Sequence, residues 1–115
     1  MMIKQMIKDI HKIAEHYGFA SQSIMLIEEM AELTKAITKY KRYLKGLQPL
    51  SKLICTVEVC KSQLEADIIE EVADVEVCLE QIKYLLEIDS AIVNKIKEQK
   101  IERTLELIES KDMSK

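Results

Sequence analysis

The chain has 115 residues, 17 basic and 20 acidic side chains for a net charge of −3, and only two Gly, one Pro and no Trp. That length suits one ordinary domain, and so few turn-forming residues exclude most β-sandwich and barrel architectures. The balanced charge leaves no general footprint for nucleic acid, and no apolar run reaches the roughly 18 residues of a membrane span.

The start, MMIKQMIKDIHK, is amphipathic and interrupted by charge, unlike a secretion signal. Ile3, Met6, Ile7, Ile10 and Ile13 recur every three or four positions and predict a helix over 3–17, with Gly18 as its stop. Ser21 or Ser23 is placed to cap a second helix running to about Lys45, where Gly46 and Pro49 end it. Residues 46–61 read ambiguously, as an insert or a short helix, because Leu50, Leu53, Ile54 and Val57 have helical spacing among β-branched neighbours. Ser62 and Glu65 match a capping box and predict a helix over 62–87. Asp89 or Ser90 can cap a fourth helix reaching about Glu109. Short connections and the lack of a dividing linker predict a single all-α domain over 1–115, an antiparallel four-helix bundle.

An odd set of cysteines, Cys55, Cys60 and Cys78, with no secretion signal, suggests reduced, buried thiols in a cytoplasmic setting. Their spacing, with His11 and His16 far away, does not make a zinc pattern. Neither histidine has Glu three residues before it, which argues against a ferritin-like di-iron site.

Acid-x-x-acid pairs include Glu29/Glu32, Asp67/Glu70, Glu71/Asp74 and Glu106/Glu109. Chance alone supplies about three such pairs at helical neighbour spacing, so spacing by itself carries no information. Phase does. Leu26, Met30, Leu33, Ile37, Tyr40 and Leu44 form one heptad seam, and Ile68, Val72, Val75, Leu79, Ile82 and Leu86 form another. Glu29 and Glu32 each precede a seam position, as do Glu71 and Asp74. Like flanks of antiparallel helices face each other, so the two pairs should converge at matching height. Carboxylates brought together repel unless a cation neutralises them, and ligands that are all carboxylate suit Mg²⁺ or Mn²⁺. The plainer reading is a charged flank of the kind common beside helical seams.

The stretches IEEMAELTKAI (27–37) and EEVADVEVCLEQIKYLL (70–86) resemble the MazG-like all-α nucleoside triphosphate pyrophosphohydrolases, whose signature is E-x-x-E on one helix and E-x-x-D on the next. The resemblance spans roughly residues 18–110, including the HYGFASQ entry and the final KIKEQKIERTLELI helix. It implies hydrolysis between the α and β phosphates, giving a nucleoside monophosphate and pyrophosphate. Glu29, Glu32, Glu71 and Asp74 would be the catalytic Mg²⁺ ligands, with Mn²⁺ a possible substitute. It also implies phosphate contacts from Lys100 and Arg103, a base contact from Gln22, and a homodimer or homotetramer. Tyr17 and Phe19 are candidates to stack on the base, and Glu28 or Glu70 to orient a water, unless they are outward charges. The 38 residues between Glu32 and Glu71 exceed the usual family gap, and the extra length falls in 46–61. From a different class, a non-catalytic helical bundle binding a partner through its seams fits the same pattern.

Overall fold

The structure, a computed structural model, describes residues 2–46 and 57–113. Among the described residues it is all helical: α1 (Met2–Leu44), α2 (Val57–Leu85) and α3 (Ser90–Met113). No helix among them is long and apolar enough to cross a membrane. The chain forms two compact units, Met1–Leu85 and Leu86–Lys115.

Three helices thus stand where the sequence predicts four. The difference lies at Gly18, which interrupts helical geometry where the sequence places a stop, at φ 83° and ψ 170°, but as a kink between two helical segments that together run on as α1 rather than as a loop. That conformation is essentially confined to glycine. A single such residue turns the axis without a connecting loop, so helical hydrogen bonding resumes directly beyond it. Ser21 and Ser23 consequently lie within α1, and the Ser23 hydroxyl donates to the carbonyl of Ala20 rather than capping. At the other end α1 stops as expected, with Gly46 at φ 70° and its N–H donating to the Tyr43 carbonyl at 2.9 Å.

The second difference concerns α2, which begins at Val57, so Ser62 and Glu65 are interior helical residues and form no capping box. The β-branched penalty at Val57 and Val59 is only a few tenths of a kcal/mol per residue, too small to stop a long helix from propagating. Glu65 instead accepts a hydrogen bond from the Tyr40 hydroxyl at 3.2 Å and lies 4.0 Å from Lys61. Residues 57–61 of the ambiguous stretch therefore belong to α2, whereas 47–56, with Cys55, lie outside the described residues. At α3 the expected cap is present: the Asp89 carboxylate accepts the Ala91 N–H at 2.8 Å.

In the first unit α1 and α2 run antiparallel. Their contacts climb one helix as they descend the other: Glu15 with Tyr84, Gln22 with Gln81, Tyr40 with Glu65. His11 stacks on Tyr84 with ring centroids 3.8 Å apart, which holds the segment before the Gly18 kink against the end of α2. Among the described residues the buried apolar ones are Ala14, Ala36, Leu64, Cys78 and Ile82. Small side chains at Ala14 and Ala36 let the helices approach closely.

Every second position of the expected seam is replaced by the residue before it, on both helices, while Leu26, Leu33, Tyr40, Ile68, Val75 and Ile82 keep their places. On α1 beyond the kink the buried or half-buried positions include Gln22, Leu26, Glu29, Leu33, Ala36, Tyr40 and Tyr43. On α2 they include Leu64, Ile68, Glu71, Val75, Cys78, Ile82 and Leu85. Each series steps by four and three, as a heptad seam does. Glu29 and Glu71, read from sequence as flanks, are thereby inside the interface. Met30, Ile37, Leu44, Val72 and Leu79, read as seam residues, are exposed. Each helix has an apolar stripe broader than one partner can cover, and the hairpin uses only one edge of it. In the second unit, α3 carries Ile92, Ile96, Ile101, Leu105 and Ile108, all exposed.

Leu64 is the one large side chain among the described residues that is fully buried. Replacing it with Ala is expected to cost about 2–5 kcal/mol from lost transfer energy and a residual cavity. Urea denaturation followed by circular dichroism would measure this, and a loss below 1 kcal/mol would show that the hairpin core lies elsewhere.

Candidate metal and ligand site

The seam rotation brings three carboxylates together. Glu71 and Asp74 are neighbours on one face of α2 because helical residues three apart are adjacent. Glu29 meets them from α1, and one oxygen from each of the three lies within 4.8 Å of the others. Glu71 Oε2 is buried and has no hydrogen-bond partner. The Glu29 carboxyl is pushed above its ordinary 4.5, first by burial, then by the charge of Asp74 and a hydrogen bond to it, then by Glu71. An unpartnered buried carboxylate oxygen among like charges is costly unless a proton or cation neutralises it. The oxygen-only set fits a hard divalent ion such as Mg²⁺ or Mn²⁺.

Glu32 is not in this trio. It is exposed, one turn beyond Glu29, and lines a neighbouring cleft with Lys35, Ala36, Lys39, Asp67, Glu70 and Glu71. Lys35 and Lys39 lie one turn apart on α1, so this cleft places two cations beside the carboxylates. Glu70 and Glu28 are both exposed, and only Glu70 borders this cleft.

On the other side of the trio lies a second cleft of about 570 Å³, which Glu29 and Asp74 border. Its walls are apolar, with Ile13, Met25, Val77, Cys78 and the ring of Tyr17. Phe19 is exposed and does not line it. Gln22 and Gln81 do, and both are buried, with the Gln22 side-chain amide donating to the Gln81 carbonyl. The Cys78 thiol is free, and its pKa is raised by burial and then by Glu29 and Asp74, which keeps it a neutral, unreactive wall residue.

The trio and both clefts are built from the first unit alone. Lys100 and Arg103 belong to α3 in the second unit, both exposed, and Lys100 borders a shallow groove there with Ile101, Thr104 and Leu105. Sequence reasoning passed over Gln81, Lys35 and Lys39. A signal for Gln81 was present: Gln22 precedes Glu29 by seven residues and Gln81 follows Asp74 by seven. In antiparallel helices that symmetry puts the two amides opposite each other one heptad from the acids. For the lysines the sequence carries only their four-residue spacing, which is common on exposed helix faces.

Comparison with protein-family models, with curated proteins and with solved structures returned no match for this chain.

The raised Glu29 pKa has a definite sign in stability. The folded chain holds that proton more tightly than the unfolded chain, so the stabilisation is complete below pH 4.5 and is lost as pH rises through the folded value. In EDTA, the melting temperature of Glu29→Gln minus that of the unaltered protein should therefore grow as pH rises from about 4.5 to 7. A gap independent of pH would contradict the placement of Glu29 in the acid cluster.

Proposed function

We propose that this protein is a Mg²⁺-dependent nucleoside triphosphate pyrophosphohydrolase of the MazG-like kind, cleaving between the α and β phosphates to release a nucleoside monophosphate and pyrophosphate. The observation that carries this reading is the carboxylate trio lying between two unlike clefts, one apolar and amide-lined, the other charged, with Lys35 and Lys39 among the carboxylates of Glu32, Asp67, Glu70 and Glu71. A nucleotide has the same division, with a flat ring at one end, phosphates at the other, and between them the phosphates that a metal bridges.

Glu29, Glu71 and Asp74 would hold Mg²⁺, or Mn²⁺ in its place, and Glu32 would join them from the adjoining turn. Bound there, the ion would neutralise phosphate oxygens and lower the pKa of a coordinated water. Lys35 and Lys39 would meet the outer phosphates; the phosphate role of Lys100 and Arg103 rests on the family resemblance alone. Glu70 beside the charged cleft is better placed than Glu28 to orient a water. Gln22 and Tyr17 would face the base.

The four-helix bundle would be completed by a second copy, in a homodimer or homotetramer of the cytoplasm. Exposed Met30, Ile37, Leu44, Val72 and Leu79 supply the apolar edge that a second hairpin would cover. The same edge supports the second reading, a non-catalytic module that uses it to hold a partner.

A panel of ribo- and deoxynucleoside triphosphates with pyrophosphate detection tests the reading. Release from at least one substrate, dependent on Mg²⁺ or Mn²⁺, is expected, and none from any substrate at any metal level would overturn it. Glu71→Gln should stay folded and lose at least about 100-fold in kcat, as loss of electrostatic support for the transition state does. The double variant Lys35→Ala/Lys39→Ala should raise KM for the triphosphate severalfold. The two readings part in a melt with and without Mg²⁺: a specific site gives stabilisation that rises with ion concentration, whereas a plain bundle gives none beyond the effect of ionic strength.

A further inference from the structure

Residues 2–17 are joined to the rest of α1 through a single non-helical residue, Gly18. A side-chain carbon at Gly18 would meet nothing within 4 Å, so glycine is required there by the backbone conformation and not by packing. The whole change of direction is therefore carried by the dihedrals of one residue with open space around it.

The ring and hydrogen-bond contacts of this segment with α2 converge on one side chain. The Tyr84 ring stacks on His11, and the Tyr84 hydroxyl donates to Glu15. Ala14 is the one fully buried side chain of the segment among the described residues. Tyr84 lies one residue before the end of α2 at Leu85. In the antiparallel register, residues 2–10, about 13 Å of helix, therefore extend past the last turn of α2, and Ile3, Met6 and Ile7 there are exposed. A segment with one polar anchor and so few buried apolar contacts opens at a cost well below that of global unfolding.

The same segment carries part of the apolar cleft. Ile13 and Tyr17 line it from before Gly18, whereas its other walls, Met25, Val77 and Cys78 among them, belong to the hairpin beyond the kink. Swinging about Gly18 removes two walls and leaves the others in place. Glu29 and Asp74 border this cleft, so the position of the segment also sets how much water reaches them.

We propose that residues 2–17 form a lid on the apolar cleft, hinged at Gly18 and latched to α2 by Tyr84. With the latch broken, the cleft is open on the side of Ile13 and Tyr17. A ligand that touches both the lid and the fixed walls favours the closed state through its differential contacts. The lid rests on the nucleotide reading only for the identity of the ligand that closes it.

Spin labels on the full chain at Lys8 and Glu76, both exposed, would report the distance from lid to α2, and labels at Glu28 and Glu76 would serve as the control beyond the kink. Tyr84→Phe keeps the stacked ring and removes the hydroxyl, and Tyr84→Ala removes both contacts. The 8–76 distance should lengthen and broaden progressively in these two variants, with the 28–76 distance unchanged. Gly18→Ala puts a side chain on a positive φ and should displace the lid in the same way. An 8–76 distance unaltered in both Tyr84 variants, or a 28–76 distance that changes equally, would overturn the proposal. Mg²⁺ with an α,β-methylene nucleoside triphosphate, which resists cleavage at that bond, should return Tyr84→Phe to the closed distance. Binding of that nucleotide, seen by calorimetry, with no change in the 8–76 distance would also overturn it. If no nucleoside triphosphate binds while the Tyr84 variants still open the lid, the nucleotide reading fails and the hinge and latch stand.

Discussion

Mutual repulsion among Glu29, Glu71 and Asp74 is the constraint around which the first unit is arranged. These side chains occupy the interface of two antiparallel helices, where apolar residues would give more stability. The cost is visible in the raised Glu29 pKa and in Glu71 Oε2, buried without a partner. It can be tolerated only because both helices are long and contact each other well beyond the cluster. His11 stacked on Tyr84 holds one end, and Tyr40 bonded to Glu65 with buried Leu64 holds the other. A negative cluster inside a helical pair is costly unless a proton or a cation neutralises it.

The acid cluster also divides the surface. Toward the chain start, past one heptad, the seam turns to amides and apolar walls around Tyr17; toward the end of α1 it turns to Lys35 and Lys39. The kink at Gly18 matters to the first of these clefts. Ile13 and Tyr17 come from the segment before the kink, and Gln22, Met25 and Glu29 from the segment after it. A straight helix would carry these residues past the partner on different faces. One glycine conformation therefore brings a wall, a ring and a polar edge to one concavity without a loop.

Much of the fold was legible because helices announce themselves locally. Gly46 and the Asp89 cap marked the end of α1 and the start of α3 to within a residue or two, whereas α2 begins five residues before its expected start and α3 ends four beyond its expected end, and the pairing of Glu29 with Glu71 and Asp74 followed from their common phase on two helices. The register of contact was not legible. Leu26, Met30, Leu33 and Ile37 form a valid seam on paper, but an apolar stripe that wide offers two edges, and periodicity does not say which edge meets which neighbour. Choosing the other edge moved Glu29 and Glu71 from the flank into the interface and left Met30, Ile37 and Val72 uncovered.

By itself the sequence determined that this chain is helical, where its first and last helices break or begin, and that acids on two helices share a phase, since each of these depends on residues a turn apart. Only the tertiary structure decided that the interruption at Gly18 is a kink without a loop, that Glu32 stands apart from the trio, and that Gln81 and the lysines of α1 border the site. Those outcomes depend on the rotation of one helix against another, which is set by the sum of close contacts at Ala14, Ala36, Leu64 and Ile82 and not by any local pattern.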